Sequence, residues 1–195
     1  MKLLGLTGGV GMGKSACAEL LRQRNIPVID TDQLAREVVK PGQPALAEVA
    51  VALGGELIGP DGRLRRDLLA RKVFSDPSAR RKLEGILHPR IRQLWQQQVK
   101  AWRASSLRLG VVAIPLLFET GAEVHCDAVV CIACSTVTQM GRLRARGWSE
   151  EQSQQRIAAQ WSIEQKMAKA NHVIWTEGSL DVHAAQLDKI LKAYA

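Results

Sequence analysis

Near the N-terminus, Gly8-Gly9-Val10-Gly11-Met12-Gly13-Lys14-Ser15 has the residue types and spacing to hold a polyphosphate. The run matches G-x-x-x-x-G-K-[ST]. It sits between an apolar strand-like stretch, Leu3 to Leu6, and a helix-like stretch, Ala16 to Arg24, which is the context that pattern needs. Glycines let the backbone take positive φ and approach a phosphate chain without a Cβ in the way. Successive N–H groups then face an anion-sized hollow at the positive end of the following helix. Lys14 is spaced to reach the β- and γ-phosphates and the Ser15 hydroxyl to ligate Mg²⁺. Gly9 to Ser15 are therefore the expected nucleotide-binding residues, and the chemistry is that of a nucleoside triphosphate.

Transfer of a phosphoryl group needs a carboxylate to take the proton of the attacking hydroxyl, and oxygen donors around Mg²⁺. Ligands of an open parallel sheet gather at the carboxyl ends of its strands. Asp30 and Asp32 follow the second strand-like run there, and Glu119 follows Pro115-Leu116-Leu117-Phe118. Asp32 suits the proton-accepting role and Asp30 the metal side, although Asp32 has equally the type and place of a plain helix N-cap. Glu119 reads equally as a surface loop residue. Basic residues concentrate at Arg63, Arg65, Arg66, Arg71, Lys72, Arg80, Arg81 and Lys82, and again at Arg142, Arg144 and Arg146. Arg142 and Arg146, four apart, share a helix face. Most such arginines are simply solvated, but a guanidinium on a flap can neutralise charge developing on a transferred phosphoryl group.

The elements that must position these groups alternate in type. Strand-like runs are Leu3 to Leu6, Pro27 to Asp30, Leu109 to Pro115, Ala128 to Ile132 and Val173 to Trp175. The continuous apolar character of Leu109 to Pro115 and Ala128 to Ile132 is that of buried parallel strands. Between the second and third, residues 33–106 contain only helical patterns: Gln33 to Val39, Ala45 to Leu53, Asp67 to Phe74, one from Pro77 to about Leu87, and a long one started by Pro89 and reaching about Ser105. Ile91, Leu94, Trp95, Val99 and Trp102 fall at helical spacing, and the tryptophans read as core anchors rather than base-stacking platforms. Thr136 to Arg146, Glu150 to Gln160 (N-capped by Ser149) and Glu164 to Ala170 make a helical flap, and Leu180 to Tyr194 closes the chain. The expected fold is α/β: a P-loop NTPase-type parallel sheet flanked by helices, with a helical insertion and a small helical lid. The expected division is 1–32, 107–138 and 171–195 for the nucleotide core, 33–106 for a helical acceptor domain and 139–170 for the lid.

Bulk numbers narrow the classes. At 195 residues with 46% hydrophobic and 24% charged residues, the chain has the make-up of one globular domain. A net charge of +8 calls for an anionic partner without naming it. No apolar run reaches membrane-spanning length, and the N-terminal apolar residues lead straight into the glycine-rich run, so a cytoplasmic protein without membrane attachment is expected. Cys131-Ile132-Ala133-Cys134 lacks the second pair or histidine of a zinc site and reads as buried strand.

With those residues in place the chain resembles the dephospho-CoA kinase family. The likeness rests on Gly5-Leu6-Thr7 leading into Gly8 to Ser15, on Asp30-Thr31-Asp32 with Ala35-Arg36 and Val38-Val39, and on Arg66 with Val73-Phe74. It continues through Ile86-Leu87-His88-Pro89, Pro115-Leu116-Leu117-Phe118-Glu119 and Arg156-Ile157-Ala158-Ala159-Gln160, in order over nearly the whole chain. The resemblance implies ATP as donor with Mg²⁺, and dephospho-CoA as acceptor, phosphorylated on its ribose 3′-hydroxyl in the last step of CoA synthesis. It implies Asp32 as general base, Lys14 and Ser15 on phosphate and metal, Asp30 beside the metal, and Arg146 as the lid arginine with Arg142 on the nucleotide. Asp32, Arg66, His88, Leu117 and Glu119 are implied on the acceptor side. The assembly expected is a monomer or weak homo-oligomer, with no nucleic acid.

Two positions depart from the family pattern. Gly147 stands where an Asp usually follows the lid arginine, and Thr176 stands where an Asn is usual near the last strand. Two other readings share some of the features. A nucleoside or nucleotide kinase would use the same phosphate chemistry with another acceptor. A nucleic-acid-dependent ATPase would use the basic patches on phosphate backbones, but aromatic residues are only 4% and no nucleic-acid-binding signature accompanies them.

Overall fold

The computed structural model describes residues 1–194. Two compact units form, one from Met1–Asp30 with the chain from Ala101 on, the other from Thr31–Lys100.

The first unit is built on a five-stranded parallel sheet in the order β2-β3-β1-β4-β5, with β1 Lys2–Gly8, β2 Val28–Asp30, β3 Leu109–Ala113, β4 Ala128–Ala133 and β5 His172–Trp175. The central strand β1 pairs Leu6 with Ala113 on one side and with Val130 on the other. β3 and β4 are buried along their whole length, which is why their sequences are unbroken apolar runs rather than alternating ones. On one face Leu4, Leu6, Val111, Ala113, Val130 and Ile132 pack against Leu20 and Leu21 of α1 (Lys14–Gln23) and Leu187 and Leu191 of α9 (Leu180–Leu191). Each such fully buried Leu or Val contributes roughly 1.5–3 kcal/mol relative to exposure. On this sheet Gly110 lies under the Trp102 ring, so close that a Cβ there would stand 2.6 Å from Cε3. Of the two tryptophans expected as core anchors, Trp95 is buried and Trp102 is half-buried against β3. Cys131 and Cys134 are buried, as the strand reading requires, and burial pushes the Cys131 thiol up to about 11.

The outer strand β5 has an edge to deal with. The Trp175 N–H donates to Gln186 Oε1 at 2.9 Å, and Gln186 Nε2 donates back to the Trp175 carbonyl at 2.9 Å. One carboxamide from α9 thereby satisfies both backbone groups of that residue.

The second unit is helical, with α2 Thr31–Glu37, α3 Pro44–Leu53, α4 Arg66–Ser75 and most of α5 Pro77–Arg103. Val49, Leu53, Leu57, Leu69, Val73 and Ala79 form its centre. The Gly59-Pro60-Asp61-Gly62 cluster is the expected turn, closed by Gly62 N–H on the Gly59 carbonyl at 2.9 Å and flanked by a single antiparallel bridge, Ile58 to Leu64.

Two boundaries differ from expectation. Where two helices were expected, with Pro89 starting the second, α5 runs unbroken through it. A proline inside a helix leaves a carbonyl one turn back without its N–H and crowds it, at a cost of about 3 kcal/mol. The residue four back is Gly85, whose Cα faces open space, and the Arg90 guanidinium donates to the neighbouring Ile86 carbonyl at 2.7 Å while also meeting Glu48 at 2.6 Å. Arg90 thereby ties the turn around Pro89 to Glu48 of α3. Second, α2 begins at Thr31 rather than Gln33, so Asp32 lies within its first turn and is not the residue that caps it.

Candidate functional site

Gly8 ends β1 and Lys14 opens α1, so the glycine-rich run is a loop from strand to helix as its sequence requires. Gly8, Gly11 and Gly13 have φ of 144°, 78° and 99°. At Gly8 a Cβ would also stand 2.2 Å from the Ile132 carbonyl oxygen, which excludes any side chain. Lys14 Nζ donates to the Gly8 carbonyl at 3.0 Å, folding the ammonium back across the loop. Ser15 is exposed in the first turn of α1.

The loop is gripped from behind by side chains that sequence reasoning did not single out for this task. Gln139 Nε2, from α6 (Thr136–Ala145), donates to the Val10 carbonyl at 2.7 Å, and Gln160 Oε1 accepts from the Val10 N–H at 3.2 Å. Thr176 Oγ1 donates to the Met12 carbonyl at 2.8 Å. Arg142 holds Thr176 with both terminal nitrogens, one on Oγ1 at 2.8 Å and one on the carbonyl at 2.5 Å. Beside them Glu177 accepts from Ser135 N–H at 2.9 Å and Thr138 Oγ1 at 3.0 Å, and these hydrogen bonds, led by that to Ser135, lower its carboxyl to about 2. Nothing in the periodicity of α6 marks Gln139 as buried. Thr176 stood out in the sequence only as a departure.

Asp30 ends β2, in register with Ala113, which in turn pairs with Leu6 two residues before Gly8. It therefore stands at the carboxyl edge of the sheet, the same edge as the loop. Asp32 follows two residues later, and covalent continuity keeps its Cα within about 7 Å of that of Asp30.

Glu119 is not a surface loop residue. Its Oε1 meets Lys166 Nζ at 2.8 Å and accepts from the Trp161 N–H at 2.9 Å; the Lys166 side chain is 0% exposed and that of Glu119 15%. Lys166, on α8 (Ile163–Lys169), also donates to the Pro115 carbonyl at 2.7 Å, and Thr7 Oγ1 donates to the same oxygen at 3.2 Å. A buried pair thus ties the segment after β3 to α8 and to the end of β1. Leu117 in that segment is fully buried, with Cδ1 over Gly5, so its side chain supports the segment from within.

Of the flap arginines, Arg142 faces the loop while Arg146 is exposed at the end of α6. The chain turns there with Gly147 at φ 79°, Gly147 N–H on the Arg144 carbonyl at 2.8 Å and Trp148 N–H on the Leu143 carbonyl at 3.3 Å. That pair of bonds is a Schellman cap, and it explains why glycine stands there. Arg156 of α7 (Glu150–Ala158) lies 4.1 Å from the Trp148 ring centroid. Ser149 caps α7 with a full capping box through Gln152.

In the helical unit Arg66 is exposed at the start of α4. His88 lines a cleft of about 500 Å³ along α5 with Arg92, Gln96 and Lys100, and burial lowers its pKa. Among the described residues no cluster of His, Cys, Asp and Glu could hold a metal by itself.

Comparison with known proteins agrees with this geometry. A family model described as dephospho-CoA kinase matches residues 2–181. A dephospho-CoA kinase of Anaeromyxobacter dehalogenans is 42% identical over 98% of this chain and 91% of its own. One of Bdellovibrio bacteriovorus is 40% identical over 98% and 96%. The crystal structure of TT1252 from Thermus thermophilus superposes with a TM-score of 0.83 at 33% identity, covering 100% of this chain and 98% of its own.

Proposed function

The chain belongs to the dephospho-CoA kinase family, and from that premise we propose that it moves the γ-phosphoryl group of ATP to the ribose 3′-hydroxyl of dephospho-CoA, giving CoA and ADP. The observation that carries this reading is the loop from Gly8 to Ser15, with Lys14 folded across it at the carboxyl edge of the sheet. Main-chain N–H groups and the Lys14 ammonium would take the β- and γ-phosphates. Asp32 would accept the hydroxyl proton as the oxygen attacks phosphorus and the bond to the β-phosphate oxygen breaks. Its place in the chain, two residues after Asp30 ends β2, supports that role.

Ser15 and Asp30 would hold Mg²⁺. Both are hard oxygen donors, and a set this small suits an ion that keeps most of its ligands as water and phosphate oxygens. When bound, the ion neutralises charge on the phosphates. Arg146, exposed at the turn after α6, is the side chain available to meet charge developing during transfer, and residues 139–170 would act as the lid. Residues 1–32, 107–138 and 171–195 would form the nucleotide core. Residues 33–106 would receive the acceptor, with Arg66 and His88 on that side. Glu119 and Leu117 would shape the segment after β3 on the acceptor side, the first through its ion pair and the second from inside the core. No helix among the described residues is long and apolar enough to cross a membrane; a cytoplasmic monomer or weak homo-oligomer fits the reading.

The test is turnover against a panel of hydroxyl acceptors with ATP and Mg²⁺. ADP release matched by a 3′-phosphorylated product from dephospho-CoA is the expected result. Preferential turnover of a nucleoside or nucleotide would overturn the acceptor assignment.

A further inference from the structure

A peptide unit is planar and trans, so its C=O and N–H point in opposite directions. The Val10 carbonyl is drawn back by Gln139 Nε2 at 2.7 Å, which turns the Gly11 N–H the other way. The Met12 carbonyl is drawn back by Thr176 Oγ1 at 2.8 Å, which turns the Gly13 N–H the other way. The one peptide between them, Gly11–Met12, gives its N–H to the Gly9 carbonyl at 3.3 Å and so is committed to the loop itself. Gly11 and Gly13 carry the positive φ values, 78° and 99°, that this alternation requires. Thr176 is 5% exposed, packed directly behind Gly13, and its own position is fixed by the two-pronged grip of Arg142.

We propose that Gln139 and Thr176, the latter held by Arg142, are positioning residues that set the Gly11 and Gly13 N–H groups toward a bound polyphosphate before it arrives. The inference rests on the donor reading above and adds that Arg142 acts through Thr176 rather than by touching the nucleotide. A loop already turned by neutral side chains loses less freedom when an anion binds, so the effect appears as affinity for the phosphate chain.

Binding of inorganic triphosphate with Mg²⁺, measured by calorimetry, isolates the phosphate loop from base and ribose contacts. Thr176→Val keeps the shape but removes the hydroxyl and is expected to weaken that binding about five- to tenfold. Thr176→Ser restores the hydroxyl and is expected to stay within about twofold of the parent. KM for dephospho-CoA is expected to be unchanged in both. Gln139→Met should give a loss like that of Thr176→Val by acting on the other peptide, and it serves if Thr176→Val does not fold. In a double-mutant cycle, Arg142→Met should add little once Thr176 is Val. Parent-like triphosphate binding by Thr176→Val and Gln139→Met would overturn the proposal. So would an equal loss in Thr176→Ser, a parallel loss of acceptor binding, or additive losses in the cycle. A parent protein that binds no triphosphate would instead sink the donor reading itself.

Discussion

In the proposed reaction Asp32 would carry the heaviest chemical load, and it is the residue whose alternatives the fold narrows. Its position inside the first turn of α2 removes the N-cap explanation. Asp32→Asn is expected to bind ATP normally and to lower kcat by about 10²–10⁴, the usual range for losing a positioned base. Near-parent turnover in a coupled ADP assay would end that assignment. The residues of the phosphate loop were legible in the sequence because spacing alone defines them. Gln139, Gln160 and Thr176 were not, since their partners lie 129, 150 and 164 positions away in the chain and no local pattern marks them.

The segment after β3, α6 and α8 are held by features that reward perturbation. Lys166→Met would strand the Glu119 carboxylate in a largely buried site, at an expected cost of about 3–5 kcal/mol in urea unfolding. Adding Glu119→Leu should recover much of that loss, because replacing both charges removes the uncompensated one. A single variant as stable as the parent would show that the pair is solvated in practice. At the end of α6, Gly147→Ala forces a side chain into φ 79° and is expected to cost about 1 kcal/mol. An unchanged unfolding midpoint would mean that the turn relaxes. Element types were readable from hydrophobic period, and α7 even from its cap. Pro89 misled because proline favours a helix start, and nothing in its local sequence tells that position from the helix interior where it stands. Lys166 escaped notice because a lysine on a short polar helix looks solvated until the sheet edge closes over it.

Across the molecule, stability should follow protons as well as packing. Burial lowers both His88 and His183 from the ordinary 6.5, with the Arg142 charge adding to the effect at His183. An unfolded chain then binds more protons below pH 6.5 than the folded one. Their contribution is complete above that pH and is lost as pH falls through it toward the depressed folded values. Glu177, lowered to about 2, adds stability above the ordinary carboxylate range that disappears as pH approaches that value. Urea midpoints should therefore decline from pH 7.5 to about 5.5, and a flat profile would contradict the histidine contribution. The parallel order β2-β3-β1-β4-β5 brings every strand's carboxyl end to one rim, so the sequence order of the motifs becomes spatial proximity within the sheet unit. Finally, the carboxamide clasp of Gln186 on Trp175 has a bearing on behaviour at high concentration. A rim strand with its outward main chain already answered offers no template for a second molecule to zip onto, so self-association by sheet extension is closed off at that residue.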